Sequence, residues 1–352
     1  MSDDPTQQDG PIGGGGPRTP RRLRRSGVPA VLMVAATLAA ACSSSATSTS
    51  ASSATTSTTA GTSTTATSST TSPTAFATTV TSPGPINPAA IPLGDGYVSS
   101  TPKVGYVDSC VTTFPSVGGA SSDGPWIDST DKTWDSLTKI GVGGSVAWPQ
   151  ARFSVTVSGN RRIITGNDLP IDHDTGIFPI RSTDPAFAYD QNPNTITAQS
   201  ISWSLPLDPA AAAQPSCLGL GPIGVLDDGV YLFDALDGEG RDAAAHEVLD
   251  DQCQEHPQMG GVLHHHTVPS CLVAQASGRS TLVGYAADGY GIYVERDAHG
   301  ALLTNTDLDA CHGRTSTVLW NGREQDVYHY DATLEYPYTV GCYHGTVTNQ
   351  SG

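Results

Sequence analysis

Positive charge is scarce in this chain of 352 residues: 17 Lys and Arg stand against 34 Asp and Glu, a formal charge of −17. Five of the basic residues are arginines before residue 26, so residues 43–352 carry 12 basic and 31 acidic groups, or −19. With no basic patch to break this pattern, nucleic acid is excluded as a partner, and cations are favoured in a general way. Several catalytic signatures are missing as well. There is no Gly-x-Ser-x-Gly elbow, no phosphate-cradling Gly-rich loop with Lys, and no Gly-x-Gly-x-x-Gly between a strand and a helix. These absences argue against serine hydrolases, kinases and dehydrogenases.

The apolar run near the N-terminus, Val28 to Ala41, is too short for a membrane span, since a helix needs about 20 such residues to cross the hydrocarbon core. Behind Arg18, Arg21, Arg22, Arg24 and Arg25 it reads as an export signal. It ends in Leu38-Ala39-Ala40-Ala41-Cys42, which resembles the lipobox of bacterial lipoproteins, although Ala39 stands where a larger aliphatic is usual. The expectation is a signal segment over 1–42 with Cys42 lipidated, giving a protein anchored in the membrane on its extracellular face. Plain secretion is the alternative. From 43 to 95 a Ser/Thr/Ala-rich stretch has too little apolar surface to repay its ordering, and is expected to be a disordered linker. Its first 40 or so residues have a coil span of roughly 35 Å, which suits a tether for a cell-wall or surface component. One domain is expected over 96–346, followed by a tail at 347–352.

Without Cys42, six cysteines are left: Cys110, Cys217, Cys253, Cys271, Cys311 and Cys342. An even number in an exported protein implies disulfides, though six cysteines allow 15 connectivities. The preferred pairs are Cys253–Cys271 and Cys311–Cys342, each closing a loop around a histidine-bearing strand, with Cys110–Cys217 following by elimination.

Short β-type runs alternate with turn signals from Tyr97 onward. Arg152–Val157 and Arg162–Thr165, separated by Ser158-Gly159-Asn160, read as a hairpin. Ser145–Trp148, Gln199–Leu205 and Val225–Phe233 read as further strands, and Gly240–Asp251 as the one helix. The expected fold is mainly β, a sandwich-like single domain with few short helices, stapled by disulfides.

Chemistry is concentrated in two places. Gly260 to Cys271 contains Leu263-His264-His265-His266, and strand alternation puts His264 and His266 on one face with His265 on the other. About sixty residues later come Tyr328-His329-Tyr330-Asp331, then Tyr336-Pro337-Tyr338 and Gly341-Cys342-Tyr343.

Together these residues resemble the bacterial YHYH domain family. The resemblance also rests on Gly166-Asn167-Asp168-Leu169-Pro170, His173 to Pro179, Asn192-Pro193-Asn194, Gly221 to Val225, His256-Pro257, Val283 to Tyr293 and Cys311-His312-Gly313. Where the family name implies Tyr-His-Tyr-His, this chain has Leu263-His264-His265-His266, which keeps both histidine positions. The later motif has Asp331 in place of its last histidine, and aspartate still offers an oxygen ligand. The resemblance implies an identity but no particular activity.

The sharpest chemical reading is a divalent transition-metal site, for zinc or copper, built from His264, His266 and His329 and completed by Asp331 or His256. A buried hydrogen-bonded network of the same side chains, without metal, is the competing reading. A metal site would serve a surface binding or adhesive module, or a metal-dependent hydrolase or oxidoreductase of unknown substrate. His246-Glu247-Val248-Leu249-Asp250 partly matches the zincin helix, with Asp250 at the second ligand position, but a third ligand is missing and a metalloprotease is not expected. For His173, between Asp172 and Asp174, local capping is expected; for Asp288 to Tyr293, core packing.

Overall fold

The hairpin expected from alternation is formed. The computed structural model describes residues 85–114 and 120–348, together with the backbone of 350–351. Strands β1 (Phe153–Ser158) and β2 (Arg161–Gly166) pair antiparallel from Phe153↔Gly166 to Ser158↔Arg161. Gly159 takes φ +59° in the turn, a conformation that costs glycine little. Strand β3 (Ile201–Pro206) lies along β2, with Trp203 opposite Ile164. Its alternate residues Ile201, Trp203 and Leu205 are all buried, as a period of two demands of a half-buried strand. The backbone of Gln350–Ser351 pairs with the free edge of β3.

The largest sheet has eight strands: β4 (Gly224–Leu226), β5 (Tyr231–Leu232), β6 (His256–Pro257), β7 (Leu263–His265), β8 (Ser280–Ala286), β9 (Gly291–Glu295), β10 (Gly313–Trp320) and β11 (Arg323–Asp331). Their spatial order is β6-β7-β5-β4-β8-β9-β11-β10. The pairs β5/β7 and β9/β11 are parallel and the rest antiparallel. Every residue of β4, β5, β7 and β9 is buried, so these strands are covered on both faces. Arg162 of β2 joins the two sheets. Its guanidinium lies 4.2 Å from the ring centre of Tyr285 on β8 and 4.3 Å from that of Trp320 on β10, and it donates to Asn321 Oδ1 at 2.7 Å. Flat, weakly hydrated guanidinium suits such stacking between aromatic faces.

Three smaller sheets complete the β structure of the described residues: Ile91–Pro92 with Thr133–Trp134 and Ile127–Asp128, Val98–Ser99 with Val107–Asp108, and Ala211–Ser216 with Tyr343–Gly345. The fold is therefore mainly β, as expected. Ordered structure starts before residue 96, because Ile91 is buried against Trp134. Residues 1–84, which include Cys42, the expected export signal and most of the expected linker, lie outside the described residues.

The helix expected over Gly240–Asp251 is a correction. Only α1 (Ala243–His246) is helical; Glu247 turns to ψ 141° and ends it. Ser145–Trp148 forms no strand, only a bridge from Val146 to Thr175, and Val225–Phe233 is split into β4 and β5 by a turn at Gly229, φ +92°. A second helix, α2 (Ser270–Gln275), appears where none was expected. Among the described residues no helix is long and apolar enough to cross a membrane.

The three disulfides join the cysteines as paired from the sequence: Cys110–Cys217, Cys253–Cys271 and Cys311–Cys342, with Cα separations of 5.1, 5.4 and 4.4 Å. All lie in the range that a disulfide spans.

Candidate metal centre

Three of the five expected ligands meet at one end of the large sheet. A tight hairpin joins β6 to β7, with Gly260 and Gly261 at φ +89° and +79°. A Cβ on Gly261 would lie 2.5 Å from Thr197 Oγ1 and 2.6 Å from Thr195 O, so only glycine fits there. The hairpin sets His256 opposite His264. His266, two residues on, returns to the side of His264. The Nε2 atom of His256 is then 3.0 Å from that of His264 and 3.4 Å from that of His266, and the last two are 3.2 Å apart.

A fourth donor comes from the residue that ends α1. Glu247 Oε2 lies 3.1 Å from His266 Nε2 and 3.3 Å from His256 Nε2. All four residues are buried. The ring of Phe233 stacks on His264 at 4.0 Å, excluding water from that side.

Hydrogen bonds on the outer nitrogens fix what the inner ones present. His264 Nδ1 donates to Val262 O at 3.2 Å and His266 Nδ1 to Asp234 O at 2.6 Å. A carbonyl can only accept, so in the neutral rings both Nε2 atoms carry bare lone pairs. His256 Nδ1 has no partner among the described residues. One hydrogen at most is therefore available among three facing nitrogens. Burial pushes the His256 imidazole down to about 4, partly opposed by Glu247. It pushes His264 well below its usual value, reinforced by charge on His256 and His266. Burial also lowers His266, but the hydrogen bond and charge of Glu247 outweigh it and raise the group. Burial would lift Glu247, yet the neighbouring His256 and His266 hold its carboxyl at about 2. The ensemble is an anionic oxygen beside three inward nitrogens.

That spacing is the spacing of ligands on one ion. Nitrogens about 2.05 Å from a common zinc stand about 3.3 Å apart in tetrahedral geometry. Backbone carbonyls on Nδ1 are the outer support that orients metal-bound imidazoles. The donors His256, His264 and His266 could hold a divalent ion, and the Glu247 carboxylate stands beside two of them.

The other two expected ligands lie elsewhere. His329 and Asp331 of β11 group with Glu295 of β9, and four strands stand between β7 and β11 in the sheet. His265 points away from the centre, as alternation requires, and pairs with Asp228 at 2.9 Å and Glu255 at 3.5 Å. Nor do His246 and Asp250 form a ligand pair. His246 bridges Asp95 and Asp123 at 3.0 and 2.9 Å, while Asp250 accepts backbone N–H groups from Gly176, Cys253 and Gln254. His173 pairs locally with Asp172 at 2.8 Å, as its sequence setting implies, and also reaches Glu255 at 3.2 Å. Glu247 and Glu295 are the site residues that sequence pattern does not select. Glu247 stands inside the zincin-like segment, where the pattern reads as continuous helix.

No curated protein and no solved structure matches this chain. The family model described as YHYH protein matches residues 202–304, a span that holds Glu247, His256, His264, His266 and Glu295 and stops before His329. Over that span the chain carries a YHYH domain.

Proposed function

We propose that this is an exported, lipid-anchored protein whose YHYH domain holds one divalent transition metal, zinc or copper, on His256, His264, His266 and Glu247. The observation that carries this reading is the convergence of three buried Nε2 atoms within 3.4 Å of one another, two of which carry bare lone pairs in the neutral rings because Nδ1 donates to a backbone carbonyl. With all three rings neutral and no ion, lone pairs face one another in a buried site; a proton on His266, held by Glu247, relieves only part of this, whereas an ion satisfies all three nitrogens.

Glu247 as a fourth donor would close a tetrahedral shell, which favours holding the metal over catalysis, because a catalytic ion keeps an open position. A cavity of about 220 Å³ lies nearby, bordered by Trp134, Lys139, Ile140, Thr267 and Ser270, but none of the four donors lines it. A binding or adhesive surface module therefore fits better than a hydrolase or oxidoreductase. Export is supported by the three paired disulfides, which persist in oxidising compartments. Lipidation rests on Cys42 and its flanking sequence.

Metal analysis of untagged protein tests the core of the proposal. The native chain is expected to retain zinc or copper at this centre through dialysis, and a His264→Ala/His266→Ala variant to lose it. Added Zn²⁺ should raise the melting temperature of EDTA-treated native protein and leave that of the variant unchanged, since a ligand stabilises only the fold that binds it. Equal metal content in the two proteins would remove the site.

A further inference from the structure

The group around His329 is a separate constellation with its own chemistry. Strands β9 and β11 run parallel with Tyr293 opposite Asp331. Residues two apart share a face, so Glu295, His329 and Asp331 converge on one side, and the Tyr293 ring covers His329 at 4.8 Å. His329 is fully buried, and its Nδ1 donates to Val327 O at 2.9 Å. In the neutral ring, Nε2 therefore carries a bare lone pair. It faces Glu295 Oε2 at 3.1 Å and Asp331 Oδ2 at 3.6 Å.

Asp331 supplies the second, independent observation. It is 0 % exposed, and neither of its carboxylate oxygens has a hydrogen-bond partner among the described residues. Native proteins rarely leave both oxygens of a buried carboxylate unpaired, and such a group calls for a proton, a water or an ion. By contrast, Glu295 is positioned: Ser316 Oγ donates to its two oxygens at 3.2 and 3.3 Å, and Arg314 Nε stands 3.9 Å away at the rim. One proton on Asp331 or His329 would satisfy a single contact. A divalent cation accepts all three donors at once.

We propose that Glu295, His329 and Asp331 form a second divalent-cation site, independent of the three-histidine centre. Its two carboxylates and single imidazole are a harder donor set that accommodates Mn²⁺, where three imidazoles favour zinc or copper. The full donor set comes from two parallel strands of one sheet, with Asp331 occupying the position that departs from the family's motif.

Equilibrium dialysis of EDTA-stripped, untagged protein against Mn²⁺, read by metal analysis and by the Mn²⁺ electron paramagnetic resonance signal, tests this. The native chain should take up about one tightly held Mn²⁺ at this site, and the His264→Ala/His266→Ala variant should keep it. Asp331→Asn should reduce Mn²⁺ affinity at least tenfold while leaving zinc at the other centre untouched. Asp331→Asn is isosteric, so folding is checked by circular dichroism, and Glu295→Gln serves if that variant does not fold. Absence of tight Mn²⁺ uptake, or equal uptake in native protein and the carboxylate variants, would overturn the proposal. So would loss of Mn²⁺ in the histidine variant alone. Zinc and manganese are read separately, so the failure of either site is distinguishable from the failure of the other.

Discussion

Glu247 shows how one residue's backbone decides a site. Had the helix run on to Asp251, Glu247 would have stayed on the helix surface; ψ 141° instead swings its carboxylate to His256 and His266. Sequence pattern could pick out His264 and His266 because alternation along one strand is a local property. It could not pick out Glu247 or Glu295, whose places depend on where separate elements dock. His256 was legible only as one of two candidates, since its partner relation to His264 is set by the hairpin register. That register in turn depends on Gly261. Gly261→Ala would put a methyl against Thr197 and Thr195 at a φ that L residues avoid, and should cost about 2–4 kcal/mol. Urea denaturation would measure the loss, and zinc affinity should fall with it. A variant as stable as the native protein would show that the turn relaxes without strain.

At the scale of elements, the long hairpin β1–β2 was readable because six-residue strands show their alternation clearly. Strands of two residues, such as β5 and β6, are too short to show a period, and tertiary pairing makes them. The stretch Ala243–Leu249 misled for the opposite reason: its pattern continues past the helix, where Val248 and Leu249 are buried as irregular chain. The Cys253–Cys271 bridge clamps the β6–β7 hairpin to the start of α2. Closing this short loop restricts the unfolded chain, so Cys253→Ala/Cys271→Ala should lose about 3 kcal/mol in denaturant titration. Zinc should still bind the folded variant, because none of the four donors is a cysteine. Loss of zinc from a variant that circular dichroism shows to be folded would mean that the staple, rather than the hairpin, sets the ligand geometry.

Across the whole molecule, buried acids govern the response to pH. Burial lifts Glu255 to about 7 and Asp331 to about 8, against partial relief from nearby histidines, and lifts Asp190, Asp234 and Asp242 to about 6. In the unfolded chain these groups ionise near 4. The fold therefore holds more protons than the unfolded chain up to about pH 8, and stability falls as pH rises through that window. Burial lowers His256 to about 4 and His312 to about 3, which acts in the opposite sense only below about pH 6.5. In EDTA, the melting temperature should rise as pH is brought from 8 to 6.5. A rise in the other direction would contradict this balance. The bridge from His246 to Asp95 carries a mechanical consequence. Gly94 N–H is held by Asp242, and Asp95 accepts from the Asp242 backbone and pairs with His246, the residue before Glu247. Gly94–Asp95 is thus fastened one residue away from a proposed metal donor, so a change at Asp95 is passed directly to the backbone that carries Glu247.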